Sequence, residues 1–265
     1  MTDNLVSIEI KDHIADVRLN RPEKKNALSG DLITAITDAG RSIATNKDVR
    51  AVVLSGNGDV FCAGIDTSEL NHPDKDPNPF ATGRGGYYPN FYQACAWVWR
   101  QCPVPVIGAL HGVAFGAGFQ IALGADIRIA HPALKMSVME IKWGLVPDMS
   151  ASQTLRDLVR LDVAKELTFT GRIVLGDEAK EIGLVTRLSE TPHEDAMAMA
   201  RTIASKNPDA ITRDKRLLQD TWHGNELDGL RAEERMQMQI LGKNNQKEAV
   251  MSEIQKRAPE FEPRS

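Results

Sequence analysis

The sequence predicts an α/β domain followed by a helical region. Short apolar runs at 51–54 and 104–110 read as buried strands. Amphipathic stretches of helical period stand between the strands, and everything after residue 191 has helical period without a strand. The 265 residues suffice for one large domain, or one domain plus a small appendage. The α/β core is assigned to 1–190 and the helical region to 191–265.

Each element follows from its local pattern. Residues 6–10 and 14–19 alternate with period two around a turn at 11–13, which predicts a hairpin with one buried face. Ser29 is placed to cap a helix whose Leu32, Ile36, Ala39 and Ile43 share one face. After the strand at 51–54, Gly56 to Asp59 turns the chain, and Asp66 and Glu69 have the spacing of a capping box. Residues 71–89 lack periodicity and carry Pro73, Pro77, Pro79 and Pro89, so a loop is expected there. A helix resumes at Asn90 with Phe91, Ala94, Cys95 and Val98 on one face, and Pro103 and Pro105 introduce the strand at 104–110. Strands follow at 126–130 and 134–137, a helix from Asp148 to about Arg160, and another at 162–170. The segment 171–175 is extended, 177–182 helical, and 183–188 the last strand. Helices are expected at 193–205, 209–222, 226–242 and 246–257, with a turn at Asn225 and a frayed end at 259–265.

Composition removes several functions. Net charge is −4 and mixed along the chain, which gives no electrostatic footprint for nucleic acid or an anionic membrane. Cys62, Cys95 and Cys102 form neither a disulfide framework nor a metal-ligand spacing. The first residues enter a strand pattern without a basic segment or a signal-length apolar core, and no apolar run reaches membrane-spanning length. A soluble cytoplasmic protein is the expectation, with no metal and no phosphate-binding loop.

The chemistry concentrates between Ile107 and Asp148. The strand at 104–110 runs into a small-residue turn at 112–118 and then a short buried helix at 119–123. A helix start after such a turn presents unpaired backbone N–H groups to one point, and small residues let another molecule approach them. Glu140 stands in an otherwise apolar run of Met136, Val138, Met139 and Ile141. Burial there raises a carboxyl pKa and makes a base that works near neutral pH.

Three motifs in order carry a resemblance. They are Leu19 to Leu28 (LNRPEKKNAL), Phe61 to Asp66 (FCAGID), and His111 to Ala130 (HGVAFGAGFQIALGADIRIA) followed by Glu140 to Pro147 (EIKWGLVP). Together they resemble the crotonase superfamily, the enoyl-CoA hydratase/isomerase group. The resemblance covers roughly residues 5–190 well and the remainder loosely. It implies a crotonase (ClpP-like) spiral of repeated ββα units, with the C-terminal helices as a trimerisation region giving a homotrimer or a dimer of trimers. It implies an acyl-CoA thioester as substrate rather than a bound cofactor.

By position in these motifs, the N–H groups of Ala63 and Ala117 are expected to hold the thioester oxygen as it becomes an enolate; one such donor contributes about 2.7–4 kcal/mol. Glu140 is the expected base. Family hydratases carry a second glutamate where this chain has Gln120, which can orient a water but cannot exchange a proton with it at neutral pH. Asp148 matches an acidic residue that family dienoyl-CoA isomerases use as a second proton carrier; otherwise it caps a helix. Ile65 and Asp66 are expected near the coenzyme A adenine, and Lys25 and Lys256 near its phosphates, unless they are solvated surface lysines. Trp97, Trp99, Tyr87 and Tyr88 are candidates for the acyl wall, and His111 is expected to be structural. One carboxylate at the two hydratase positions favours double-bond isomerisation. Hydration of a 2-enoyl-CoA, and a non-catalytic acyl-CoA- or RNA-binding scaffold, stand as alternatives.

Overall fold

A computed structural model describes residues 5–69 and 89–265. The chain opens with an antiparallel hairpin, β1 (Val6–Lys11) and β2 (Ile14–Leu19), with Val6 opposite Leu19. After α1 (Gly30–Thr45), β3 (Ala51–Gly56) adds parallel to β2. Then α2 (Phe91–Gln101) leads to β4 (Val106–Leu110), β5 (Val113–Phe115) and α3 (Ala117–Leu123). Next come β6 (Ile127–Ala130), β7 (Lys135–Ser137), and a 3-10 turn at Glu140–Trp143. The short helices α4 (Ala151–Leu155) and α5 (Leu161–Thr170) precede β8 (Val174–Leu175), α6 (Gly176–Glu181) and β9 (Arg187–Leu188). Four helices complete the chain: α7 (Pro192–Ala204), α8 (Pro208–Thr221), α9 (Glu226–Met238) and α10 (Asn244–Gln255).

The strands divide between two sheets. One has the order β1-β2-β3-β4-β6-β9, parallel after its first pair; the other has the order β5-β7-β8. In the middle of the chain each turn lays one strand in the large sheet and the next in the small one, then continues into helical structure. Thus β4 is followed by β5 and α3, and β6 by β7 and the 3-10 turn. The unit that begins with β3 puts the single residue Cys62 beside Ala114 of β5. This is the expected spiral of ββα units, built without sequence repetition.

The large sheet is buried on both faces because its strands alternate between two cores. Val52 and Leu54 face α1, α2 and α3, where Trp99, Phe119 and Leu32 also pack. Ala51, Val53, Ile107, Ala109 and Ile129 face α7, which meets them with Ala196, Ala200 and Ala204 at helical spacing. The layered core therefore reaches past residue 190 to include α7.

Three expectations change. Ile8 and Ile10 alternate as a buried face would, yet both are exposed; on that face of the edge strand β1 only Val6 is buried. The helix expected from Asp148 to Arg160 is only Ala151–Leu155; Arg160 is extended, at φ −63 and ψ 153. Residues 259–265 are docked rather than frayed. Arg264 is buried and donates to the carbonyls of Ala44 (2.6 Å), Asn46 (3.0 Å) and Val49 (3.3 Å). Phe261 accepts from Arg50, and the Ser265 N–H donates to Asp209.

Arg264→Ala leaves those three carbonyls without their charged donor. We expect a loss of about 2–4 kcal/mol of stability, read as a lower denaturant midpoint. An unchanged midpoint is incompatible with this docking.

Candidate active site

Two loops from different turns of the spiral are stitched edge to edge. The N–H groups of Phe61 and Cys62 donate to His111 and Val113, and the Phe115 N–H donates back to Cys62. His111 also bonds the Gly58 carbonyl through Nε2, so it takes the structural role expected of it. Glycine is required at both crossing points. A Cβ on Gly118 would meet the Cys62 carbonyl oxygen at 2.5 Å, and one on Gly64 would meet the Phe115 oxygen at 2.9 Å. Gly64 has a φ of +101, and the same imagined Cβ stands 3.9 Å from the Ala117 nitrogen. The FCAGID and FGAGFQ loops are therefore in contact.

The identity of the first donor changes. The Ala63 N–H donates to the Lys25 carbonyl at 3.0 Å, so it points into the neighbouring segment and is occupied. Ile65 pairs with Leu28 as in a parallel ladder: Leu28 N–H donates to the Gly64 carbonyl and Asp66 N–H to the Leu28 carbonyl. In a trans peptide, C=O and N–H point in opposite directions. With the Gly64 carbonyl turned toward Leu28, the N–H of Ile65 must turn away from it. That N–H has no hydrogen-bond partner among the described residues. Ala117 opens α3, and its N–H is likewise without a partner there. The free pair is Ile65 and Ala117, not Ala63 and Ala117.

Glu140 lies against this pair. Its Oε1 is 3.6 Å from where a Cβ on Gly116 would stand, and Gly116 immediately precedes Ala117. Glu140 is 8% exposed, despite opening a 3-10 turn whose next residues face solvent. Burial raises its pKa; the hydrogen bond from Gln120 opposes that rise, and the charge of Asp148 adds to it. Its Oε2 is buried and has no hydrogen-bond partner among the described residues.

Gln120 is wholly buried and its orientation is fixed by its neighbours. Its Oε1 accepts from the N–H of Met149 (2.8 Å) and of Ala151 (3.0 Å), which start α4. Its Nε2 donates to Glu140 Oε1 at 2.6 Å. Both lone pairs of the amide oxygen are occupied, so the side chain cannot accept a hydrogen bond from a water.

Asp148 makes no capping bond; Ser150 is the residue before α4 and is left-handed at φ 81. Burial raises the Asp148 pKa as well. Asp148 lines a cavity of about 310 Å³ with Gln93, Trp97, Pro147, Ser150 and Gln153. Trp97 thus stands on the cavity wall, whereas Trp99 is buried in the core, and Tyr87 and Tyr88 lie outside the described residues. Neither this cavity nor a larger cleft of about 450 Å³ between α8 and the β4–β6 layer has Ile65, Ala117 or Glu140 in its lining.

The residues expected to hold coenzyme A differ in exposure and in engagement. Lys25 is exposed beside the FCAGID loop, left-handed at φ 52. Asp66 is engaged inside the protein: it bonds Ser68 and Arg21, and those contacts hold its pKa down to about 2. It caps the 3-10 turn at Thr67–Glu69 rather than offering a free carboxylate. Lys256 stands exposed at the end of α10, a helix that packs on α8. Among the described residues no cluster of three metal-ligating side chains occurs, and no helix is long and apolar enough to cross a membrane.

The geometry has close counterparts. The enoyl-CoA hydratase/isomerase family model matches residues 9–264. The mitochondrial Delta(3,5)-Delta(2,4)-dienoyl-CoA isomerase of Rattus norvegicus is 34% identical over 225 residues, covering 80% of this chain and 68% of that protein. Enoyl-CoA hydratase EchA19 of Mycobacterium tuberculosis is 29% identical over 259 residues, covering 97% and 96%. The crystal structure of enoyl-CoA hydratase from Bacillus anthracis superposes with a TM-score of 0.89 at 28% identity, covering 97% of this chain and 98% of that one.

The electrostatics of Glu140 predict a stability effect. Its folded pKa lies above the unfolded value, so stability from this group is full below the unfolded pKa and is lost as pH rises through the folded one. Glu140→Gln removes that loss. The variant should melt a few degrees above the wild type near pH 8, with the difference vanishing near about pH 4. A melting difference that does not change with pH contradicts the raised pKa.

Proposed function

The chain belongs to the enoyl-CoA hydratase/isomerase family, and within it we propose that this protein moves a double bond along an enoyl-CoA thioester. The N–H groups of Ile65 and Ala117 hold the thioester oxygen, which gains charge when a proton leaves the α carbon. Glu140 takes that proton on a 3-enoyl substrate and returns it at C4, leaving a 2-enoyl product. One base serves both steps because the proton stays with the carboxyl group between them.

The observation that carries this reading is the engagement of the Gln120 amide oxygen, which leaves the side chain one N–H and no acceptor to offer a water. Hydration needs a water that gives up a proton to one group and receives stabilisation from another. Gln120 already uses its oxygen on two backbone N–H groups and turns its nitrogen to Glu140. Glu140 is then the proton acceptor that stands beside the start of α3.

Asp148 supports a second, longer shift. It is uncapped, lines the cavity with Trp97, and burial favours its protonated form. A carboxylic acid there can protonate a carbon beyond C4, so a 3,5-dienoyl thioester would leave as the 2,4-diene. The similarity to dienoyl-CoA isomerases supports this reading without deciding it.

The test compares three thioesters: a 3-enoyl-CoA, a 3,5-dienoyl-CoA and a 2-enoyl-CoA offered for hydration. Isomerisation of one of the first two should exceed hydration, and Glu140→Ala should lower it by about 10²–10⁴-fold. Asp148→Asn should slow the dienoyl shift while sparing the 3-enoyl one. Fast hydration by the unaltered protein defeats the proposal.

A further inference from the structure

Asn26 is wholly buried, yet its side chain touches none of the groups assigned above to the reacting atoms. Its Nδ2 donates to the carbonyls of Asn57 (3.0 Å), Val60 (3.0 Å) and Phe61 (3.1 Å). Its Oδ1 accepts from the Arg21 N–H at 2.8 Å. No other donor among the described residues reaches those three carbonyls. The backbone of Asn26 is left-handed, at φ 54, a conformation that asparagine tolerates better than most side chains. Its own carbonyl accepts from the Cys62 thiol at 3.0 Å.

These bonds continue on both sides. Lys25 and Leu28, flanking Asn26, supply the backbone partners of Ala63, Gly64 and Asp66. The segment 25–28 is thus a template on which 57–66 is laid, and the Asn26 amide ties it to the 57–61 turn. The direction of the Ile65 N–H depends on the Gly64 carbonyl meeting Leu28 N–H. A shift of the 57–61 turn relative to residue 26 would rotate that peptide plane.

We propose that Asn26 is a positioning residue for the oxyanion grip: its amide fixes the turn that aims the Ile65 N–H at the gap shared with Ala117. This rests on the reading of those two N–H groups as the holders of the thioester oxygen. Asparagine is suited to the task because one side chain must donate to three carbonyls and accept from an N–H in a site without water-sized exposure. Aspartate keeps the shape and the left-handed backbone but donates nothing when ionised, and donates once when protonated.

The experiment uses the full chain with a saturated acyl-CoA carrying ¹³C at the thioester carbonyl, which has no double bond to move. Difference infrared spectroscopy reads the carbonyl stretch. In the unaltered protein the bound band should lie below that of the free thioester. In Asn26→Asp at about pH 8 the shift should be largely lost, returning in part near about pH 5, where the buried acid is protonated. Turnover of the preferred enoyl thioester should fall by about 10²-fold with KM held within about threefold, the mark of an interaction made in the transition state. Asn26→Gly keeps the left-handed backbone and admits water to the three carbonyls; it carries the same test should the Asp variant not fold. A full shift and unaltered turnover in the folded variants overturn the role of Asn26 alone. No shift in the unaltered protein overturns the oxyanion reading itself, and the inference with it.

Discussion

The site depends on two peptide N–H groups, of Ile65 and Ala117, that have no partner among the described residues. Buried backbone donors are rarely left unbonded, because their desolvation is costly. At Ile65 the cause is the parallel pairing with Leu28, which uses the peptides on either side and turns this N–H outward. At Ala117 the cause is the start of a helix after a left-handed Gly116 at φ 51. The two causes are independent. They meet because Cys62 bonds across to Val113 and Phe115 and because Gly64 and Gly118 have no Cβ to hold the loops apart.

The carboxylates obey the same logic of incomplete satisfaction. Glu140 is buried with one oxygen held by Gln120 and the other without a partner among the described residues. Burial raises its pKa; the Gln120 donor stabilises the ionised form and so tempers that rise. Gln120 can do this only in one orientation, and the start of α4 sets that orientation by filling the amide oxygen. Asp148 belongs to the same balance, since its charge pushes the Glu140 pKa further up. A helix start, an amide and two acids therefore form one electrostatic unit.

Much of this was legible along the chain. Ser29 caps α1, Leu32, Ile36, Ala39 and Ile43 are buried on its inner face, and β3 and β4 are the continuous apolar runs expected of strands buried on both sides. Ala117, Glu140 and the contact of the two glycine-containing loops were readable from motif order. The choice between Ala63 and Ile65 was not, because it turns on which way one peptide plane faces, and Gly64 at φ +101 breaks the alternation that a strand pattern assumes. Asp148 looked like a cap because helix starts favour aspartate; the α4 start lies further on and leaves it on the cavity wall. The docking of Arg264 has no local signal, since its acceptors lie at residues 44–49.

The sequence by itself determined the α/β class, the order of the elements, the small residues at the loop crossings and a buried acid near them. Those features reside in periodicity and residue size, which act over a few neighbours. Only the tertiary structure decided which N–H groups lack a partner among the described residues, what fills the amide oxygen of Gln120, and which residues line the cavity beside Asp148. Each of these is a question of direction between segments distant in the chain. Side-chain identity limits which bonds a residue can make, but the fold decides which partner is there to complete them.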